Sequence, residues 1–390
     1  MKRFKTPLLL IIAAGLGYIA GHYRLPLKMG DLFHTPKISV VMSTYNRADI
    51  VGDAIESVLN QTEPDFEFII IDDGSEDNTF DVLKQYAKKD KRIKALRNET
   101  NKGLIYSLNR GLDVAKGQLI ARMDDDDAMI PWRLERQVLA MELYPSITLL
   151  GSKILGATRQ TQKKTTAPTI EDPNITQINT YTSSGLAHPT VIFRKDFINK
   201  HNIRYRADNL YAEDCGLYAD ILNAGGKISN LQEHLLRYGV KKNLKKPEKY
   251  GHIQYDTFKK IQREKLSRLM DNVDNSLLGS RREIPTKCKI WSQMIEANKT
   301  KNIVDQGTLT DIHTKYCPAD IDNAIWVKHE FWSDFFIFDG EKRIHRYSNN
   351  DAATIVENTS DTLIVNWDRY GTEEFKKDSP NQYTFVKEVK

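Results

Sequence analysis

Short apolar runs alternate with amphipathic segments between Pro36 and about Ser152. Four runs predict strands: ISVVMS (38–43), FEFIII (66–71), RIKAL (92–96) and QLIARM (118–123). The stretches between them repeat apolar residues at helical spacing, around Ile55, Leu83 and Leu108. Strands separated by amphipathic helices predict βαβ units, and therefore an α/β fold with a mainly parallel sheet flanked by helices.

The pattern changes twice further along the chain. Residues 241–309 are Lys-rich with a helical period, as expected of a solvated helix or linker that covers the core, or of a segment that contacts an anionic membrane or acceptor. Residues 310–390 contain short β-rich, aromatic runs and predict a small C-terminal β domain. We therefore divide the chain into an N-terminal segment (1–35), an α/β domain (36–240) and these two regions.

Residues 6–23 contain no charged side chain and follow Lys2, Arg3 and Lys5. Eighteen residues is close to the roughly 20 that span a hydrocarbon core. The segment predicts a single-pass membrane anchor, and a cleaved signal peptide or an interfacial helix are the alternatives. Basic residues flank it on both sides, so the side of the membrane stays open.

Composition narrows the class of protein. Of 390 residues, 40% are hydrophobic and 28% are charged, which is the balance of a folded chain. A mean hydropathy of −0.52 excludes a polytopic membrane protein. A net charge of +5 is small for a nucleic-acid binder of this length, so no nucleic-acid partner is expected. The three cysteines, widely spaced and odd in number, predict no disulfide framework and no metal site.

Polar residues follow the first two predicted strands. Ser43, Tyr45 and Arg47 end the first, and Asp73 ends the second. Ligands of open parallel sheets bind at the carboxyl ends of strands, where these side chains could contact a nucleobase. Asp73 could equally cap the following helix.

Four consecutive aspartates, 124–127, follow the fourth strand directly. Adjacent carboxylates repel one another at a buried strand end, and a divalent cation would offset that repulsion. Carboxylate oxygens suit Mg²⁺ or Mn²⁺, which also bind substrate phosphates. An exposed acidic turn is the alternative.

These segments together resemble the nucleotide-sugar half of family 2 glycosyltransferases, which have the Rossmann-like GT-A fold. The resemblance is carried by ISVVMSTYNR, IIIDDGSEDNT, NKGLIYSLNRGLDVAKGQLIARMDDDD and PWRLERQ, in this order and spacing, and covers about 36–240. It implies donor contacts and a D-x-D metal motif. The implied donor residues are Ser43, Tyr45, Arg47, Asp73, Asn101, Gly103, Asp124 and Asp125, and the implied metal ligands are Asp126 and Asp124.

The resemblance also implies a general base in LYAEDCGLYADIL (210–222). Asp214 is our choice for the base, and Glu213 is the alternative. A Glu-Asp pair that opens a helix more commonly complements the helix dipole. Two softer matches are His188, on the acceptor side, and Arg237, near the phosphates.

The implied function is inverting, metal-dependent transfer of a sugar from a nucleotide-diphosphate donor, most simply a UDP-sugar. The partners would be that donor and a glycan or lipid-linked acceptor. Mn²⁺ or Mg²⁺ would be the cofactor, and the membrane would be contacted through the N-terminal segment. The alternatives are a non-catalytic carbohydrate-binding protein with a vestigial transferase fold, or a nucleotidyltransferase.

Overall fold

The computed structural model describes residues 34–156, 168–183, 185–239, 249–274 and 284–317, together with residues 276 and 278 and seven strands between 324 and 389. The predicted anchor at 6–23 lies outside the described residues. Within the described part of the chain, no helix combines the length and the apolar character needed to cross a membrane.

The α/β region contains eight strands and most of the helices. The strands are β1 (Ile38–Thr44), β2 (Phe66–Asp72), β3 (Ile93–Arg97), β4 (Leu119–Met123), β5 (Ala128–Met129), β6 (Ile147–Gly156), β7 (Ile192–Arg194) and β8 (Lys227–Tyr238). The helices are α1 (Val51–Leu59), α2 (Thr79–Lys89), α3 (Leu104–Val114), α4 (Arg133–Leu143), α5 (Pro173–Thr182), α6 (Lys195–Lys200) and α7 (Glu213–Asn223).

The eight strands form one sheet in the order β3-β2-β1-β4-β7-β6-β8-β5. Neighbours β3, β2, β1 and β4 pair in parallel, as do β6 and β8. Only β7 and β5 run against their neighbours. The predicted mainly parallel sheet is confirmed, and the carboxyl ends of β1, β2 and β4 meet at one edge.

Helices cover both faces of the sheet because alternate residues of each strand point in opposite directions. In β1, Val40 and Met42 belong to a core that includes Ile55 of α1. Val41 belongs to a second core that includes Leu108 of α3. Both faces are apolar, as expected of a parallel sheet enclosed between two layers of helices.

A buried ion pair links α4 to β8. The guanidinium of Arg136 donates from Nε and Nη2 to Oε1 of Glu233, at 3.1 and 2.9 Å. The Arg136 side chain is 2% exposed and that of Glu233 is 11% exposed, so the two charges face each other in the interior.

Three helices follow the sheet: α8 (Lys249–Leu269), α9 (Ile284–Lys301) and α10 (Gln306–Tyr316). Together with Ile178 and Tyr181 of α5, they enclose a third core that includes Leu266, Trp291 and Leu309. Cys288 and Cys317 form a disulfide, with Cα atoms 5.6 Å apart. The expectation that the cysteines form no disulfide is therefore wrong for this pair, because helix packing brings together residues that are distant in sequence.

The C-terminal strands close into a barrel. They are β9 (Ala324–Lys328), β10 (Ser333–Phe338), β11 (Arg343–Arg346), β12 (Ala352–Asn358), β13 (Thr362–Trp367), β14 (Gly371–Ser379) and β15 (Gln382–Val389). Neighbouring strands are antiparallel from β9 through β15, and β15 then pairs in parallel with β9. The predicted small β-rich domain is confirmed, and closure leaves no free strand edge.

Candidate active site

The loops after β1 and β2 are bonded to each other. The backbone N–H of Asn46 donates to Oγ of Ser75 at 2.9 Å, and Oδ1 of Asn46 accepts from the backbone N–H of Glu76 at 2.9 Å. This pairing holds the half-buried side chains of Ser43 and Tyr45 at the edge of the sheet. The two loops therefore form one continuous wall beside the strand ends.

Gly74 allows the second loop to meet a third. Its φ is +74°, and a Cβ atom there would lie 2.4 Å from the carbonyl carbon of Thr100. Any larger residue would push away the loop that contains Asn101 and Gly103. Asn101 is exposed in that loop, and its Oδ1 accepts from the backbone N–H of Gly103 at 3.1 Å.

Asp73 is buried and accepts four hydrogen bonds from within the chain. Two of them come from backbone N–H groups of the two residues that precede α3, and the others come from side chains. The donors are Lys102 N (3.0 Å), Gly103 N (2.8 Å), Asn98 Nδ2 (2.6 Å) and Ser107 Oγ (3.0 Å). None of these donors belongs to α2, the helix that follows Asp73, and α2 has no side-chain cap. Asp73 instead ties the end of β2 to the loop that leads into α3.

Asp124, Asp126 and Asp127 converge after β4. Each offers a carboxylate oxygen, and these three oxygens lie within 4.8 Å of one another. Asp125 instead faces the first loop, where its Oδ2 lies 3.7 Å from Nε of Arg47. The predicted metal ligands do not include Asp127, because four adjacent aspartates do not show which three converge.

Burial decides how these carboxylates titrate. Burial and the carboxylate of Asp124 raise the pKa of Asp125 to about 6 and that of Asp127 to about 7. The same two causes raise the pKa of Asp126. Asp124 is balanced by the buried guanidinium of Arg122, whose Nη2 lies 2.5 Å from its Oδ1. Negative charge is therefore concentrated at this edge, where Arg122 pairs with Asp124 and Arg47 approaches Asp125.

Asp127 provides the test of whether a cation fits this site. Its Oδ1 accepts from the backbone N–H of Gly239 at 2.8 Å. Its Oδ2 is buried and receives no hydrogen bond from any described residue. An orphaned carboxylate oxygen beside two further carboxylates suits a hard divalent cation, which takes oxygen ligands. Asp124, Asp126 and Asp127 would hold it.

Glu213 and Asp214 open α7 on the other side of Arg122. Burial and the carboxylates of Asp214 and Asp124 raise the pKa of Glu213 to about 7. Oε1 of Glu213 lies 3.9 Å from Nδ1 of His188, whose pKa burial and Arg122 depress. His188 is thus a neutral, buried neighbour of the carboxylate pair.

The end of β8 adds two residues. Arg237 pairs across the ladder with Ala128, next to the aspartate cluster. Tyr238 follows it and is half-exposed. Burial and the carboxylates of Asp124 and Asp127 raise the pKa of the Tyr238 hydroxyl. Sequence reasoning missed Tyr238, which only the pairing of β5 with β8 brings to this edge.

Comparison with known proteins identifies the family of this chain. The family model described as Glycosyl transferase family 2 matches residues 39–201. An uncharacterized glycosyltransferase of Haemophilus influenzae is 32% identical over 248 residues, which cover 61% of this chain and 76% of the relative. The chain belongs to glycosyltransferase family 2. O-antigen biosynthesis glycosyltransferase WbnJ of Escherichia coli is a further relative, 34% identical over 212 residues that cover 52% of this chain and 79% of WbnJ.

Solved structures resemble this glycosyltransferase in outline. Residues 1–349 of S. aureus TarS align with 19% identity and a TM-score of 0.44, and the alignment covers 78% of this chain and 98% of that one. The mannosyltransferase PcManGT from Pyrobaculum calidifontis, solved with GDP-Man and Mn2+, aligns with 15% identity and a TM-score of 0.45, over 78% and 88% of the two chains. At these values the similarity assigns no donor, metal or residue role.

The glycosyltransferase thus gathers its candidate residues along one edge of the sheet. The first two loops meet the aspartates through Arg47 and Asp125, and the aspartates meet α7 through Arg122. Asp127 is 1% exposed, and Asp124 and Asp126 are half-buried, so an exposed acidic turn does not describe the cluster. The matched relatives above are glycosyltransferases by name, and they favour neither a nucleotidyltransferase nor a non-catalytic binding protein.

Proposed function

We propose that this enzyme is an inverting, metal-dependent glycosyltransferase that moves a sugar from a nucleotide diphosphate, most simply UDP, to an acceptor hydroxyl of a glycan or lipid-linked carrier. One observation supports this above the others. Three carboxylates, one with an orphaned buried oxygen, interact through Arg122 and Asp124 with a carboxylate pair that opens a helix.

The donor would lie along the wall formed by the first two loops. Ser43 and Tyr45 are half-buried there and keep polar groups for the base and ribose. All four hydrogen bonds to Asp73 come from the protein. We therefore assign Asp73 to positioning the Asn101–Gly103 loop rather than to direct contact with the base.

The diphosphate would lie above the aspartates. When bound, a divalent cation there would supply positive charge against the charge that develops on the leaving phosphate. Asp124, Asp126 and Asp127 would hold it. Arg122 keeps Asp124 in place, and Tyr238 has its hydroxyl beside the same carboxylates.

Asp214 would act as the general base. It accepts the proton of the acceptor hydroxyl while that oxygen bonds to the anomeric carbon. The bond between the sugar and the diphosphate breaks, and its electron pair leaves with the diphosphate, so the anomeric configuration inverts. Glu213 lies deeper, against His188, and its ionised form would place a second negative charge beside the base.

Nucleotide release tests this proposal. The full chain with Mn²⁺ should release UDP or GDP from one member of a panel of UDP-GlcNAc, UDP-glucose, UDP-galactose and GDP-mannose, in the presence of methyl glycosides as acceptors. Asp214→Asn should abolish release yet keep the thermal shift that the nucleotide and Mn²⁺ produce. Asp81→Asn is the matched control, because that side chain is 63% exposed on α2. No release from any donor would count against transfer, and lost nucleotide binding in Asp214→Asn would remove that residue from the base role.

We also propose that residues 6–23 hold the enzyme at a membrane, on the strength of their uncharged, apolar sequence. Full-length protein should sediment with membranes after a carbonate wash. A chain that starts at residue 29 should stay in the supernatant. Equal partition of the two chains would contradict the proposal.

A further inference from the structure

We propose that α8 is a positioning element for the catalytic carboxylates, with Gln254 as its decisive residue. The family model ends at residue 201, so α8 lies beyond the matched segment. The inference rests on the proposed function, because it concerns the carboxylates assigned to proton transfer. Its basis is a strained residue immediately before α7, together with the contacts that hold that residue.

The strained residue is Tyr211, whose φ is +64°. Left-handed backbone is unfavourable for residues with a Cβ atom, and asparagine tolerates it best after glycine. The other described non-glycine residues with positive φ are all asparagines: Asn46, Asn202 and Asn302. A tyrosine in this conformation therefore needs contacts that keep it there, and strained residues of this kind cluster at active sites.

Gln254 on α8 supplies the first of these contacts. Its Nε2 donates to the backbone oxygen of Tyr211 at 2.7 Å. Ala212 comes next and is the N-cap of α7, with no side-chain hydrogen bond to cap the helix. Glu213 and Asp214 follow at once. The orientation of the carboxylate pair thus depends on a turn that α8 holds from outside.

Apolar packing supplies the second contact. Ala212 and two residues within α7, Cys215 and Ala219, pack in one cluster with Phe258 and Ile261 of α8. All five residues are at most 1% exposed. Gln254, Phe258 and Ile261 are spaced by four and three residues, so they share a face of α8.

Ion pairs hold the segment before the turn. Nη2 of Arg206 donates to Oε2 of Glu264 on α8 at 2.9 Å, and Lys260 of α8 pairs with Asp208. Arg206 also reaches Asp220 on α7, with Nε 3.3 Å from Oδ2. Helix α8 is therefore bound to the chain before Tyr211, at Tyr211 and after it.

The consequence for catalysis is geometric. A base must reach the proton that it removes, and a displacement of about 1 Å can cost roughly 100-fold in rate. Releasing Tyr211 from its left-handed conformation would rotate the peptide that leads into Glu213 and Asp214. We expect the turnover rate to fall while the donor, which the proposed function places along the first two loops, binds as before.

The first experiment uses the full chain, Mn²⁺, methyl glycosides and the nucleotide sugar of the panel that gives the most release. Gln254→Met keeps the length of the side chain and its helix propensity but removes the donor. It should lower kcat by roughly 10- to 100-fold and leave the KM for the nucleotide sugar within about twofold. Gln254→Lys keeps an N–H donor and should retain most of the activity. Asp256→Ala, an exposed change on the same helix, is the control and should match the wild type.

The second experiment tests the strain itself. In a Tyr211→Asn background, residue 211 adopts positive φ more readily. The loss of kcat caused by Gln254→Met should therefore shrink at least threefold relative to the same change in the wild type. An equal loss in both backgrounds, or unchanged kcat in Gln254→Met, would overturn the inference. A wild-type enzyme with no nucleotide release would instead refute the proposed function, so the two failures are distinguishable.

Discussion

Replacing Asp127 with asparagine should make the metal-free enzyme more stable at alkaline pH. Asparagine keeps an oxygen that can accept from the backbone N–H of Gly239, as Oδ1 of Asp127 does at 2.8 Å. It carries no charge, so it removes one of the carboxylates crowded beside Asp124 and Asp126. The gain in stability should depend on pH, because only the ionised carboxylate of Asp127 destabilises the folded state.

The magnitude follows from the pKa of Asp127, which burial and Asp124 raise from 3.8 to about 7. Between these values the folded state binds more protons than the unfolded state, so the free energy of unfolding falls as pH rises. One pKa unit is about 1.4 kcal/mol, so the ionised group costs at most about 4 kcal/mol above pH 7. At pH 5 only about a third of that cost is present.

Urea unfolding in EDTA at pH 5 and pH 8 measures this difference. Asp127→Asn should raise the free energy of unfolding at pH 8 by about 1–4 kcal/mol, and by about a third as much at pH 5. Asp256→Asn, an exposed change on α8, serves as the control for removing one negative charge. A gain of equal size at both pH values, or a loss at pH 8, would refute the assignment of a buried, destabilising carboxylate.

Addition of Mn²⁺ should make the wild type more stable than Asp127→Asn, the reverse of the order expected in EDTA. A ligand that binds only the folded state stabilises it in proportion to the logarithm of its concentration over Kd. Wild-type enzyme should therefore gain stability with Mn²⁺, and Asp127→Asn should gain less because it lacks one ligand. If both proteins respond equally to Mn²⁺, Asp127 does not hold the cation.

Three further outcomes are expected. The kcat/KM of the wild type should rise with pH through an inflection near pH 7, where Glu213 ionises. Glu213→Gln should remove that inflection. An unchanged pH profile of kcat/KM in this variant would exclude Glu213 as the source of the inflection. Gly74→Ala should lower the free energy of unfolding by roughly 2–4 kcal/mol, because φ is +74° and the added Cβ would clash with backbone atoms. Gly156→Ala, with open space around it, should have little effect. Similar urea midpoints for the two variants would contradict this prediction. Cys288→Ser should lower the same free energy by about 2–4 kcal/mol through loss of the disulfide; a urea midpoint equal to that of the oxidised wild type would argue that the bond is not formed.

The first half of the sheet, β1 to β4, could be predicted from sequence because each strand has a local hydrophobic pattern. Each of the first four strands is an apolar run bounded by turn residues, and each observed bound differs from the predicted one by at most one position. The second half of the sheet gives weaker signals. Strand β7 has only three residues, and β8 carries polar side chains such as Gln232 and His234. Pairing with strands distant in sequence establishes both.

The site divides in the same way. The aspartate run and the Glu-Asp pair are visible as motifs, because adjacent residues carry the chemistry. The convergence of Asp127 with Asp124 depends on where Gly239 bonds after β8. The role of Asp73 depends on N–H groups about thirty residues away. Such contacts follow from tertiary packing, which no local pattern encodes.

The buried pair of Arg136 and Glu233 constrains which substitutions can accumulate as the sequence of this enzyme evolves. Loss of either partner alone would strand a charge in the interior at a cost of roughly 3–5 kcal/mol, a large fraction of the stability of a typical domain. Joint replacement by two apolar residues of similar volume would cost far less. Descendants should therefore keep both residues or exchange both, and α4 and β8 should diverge in step.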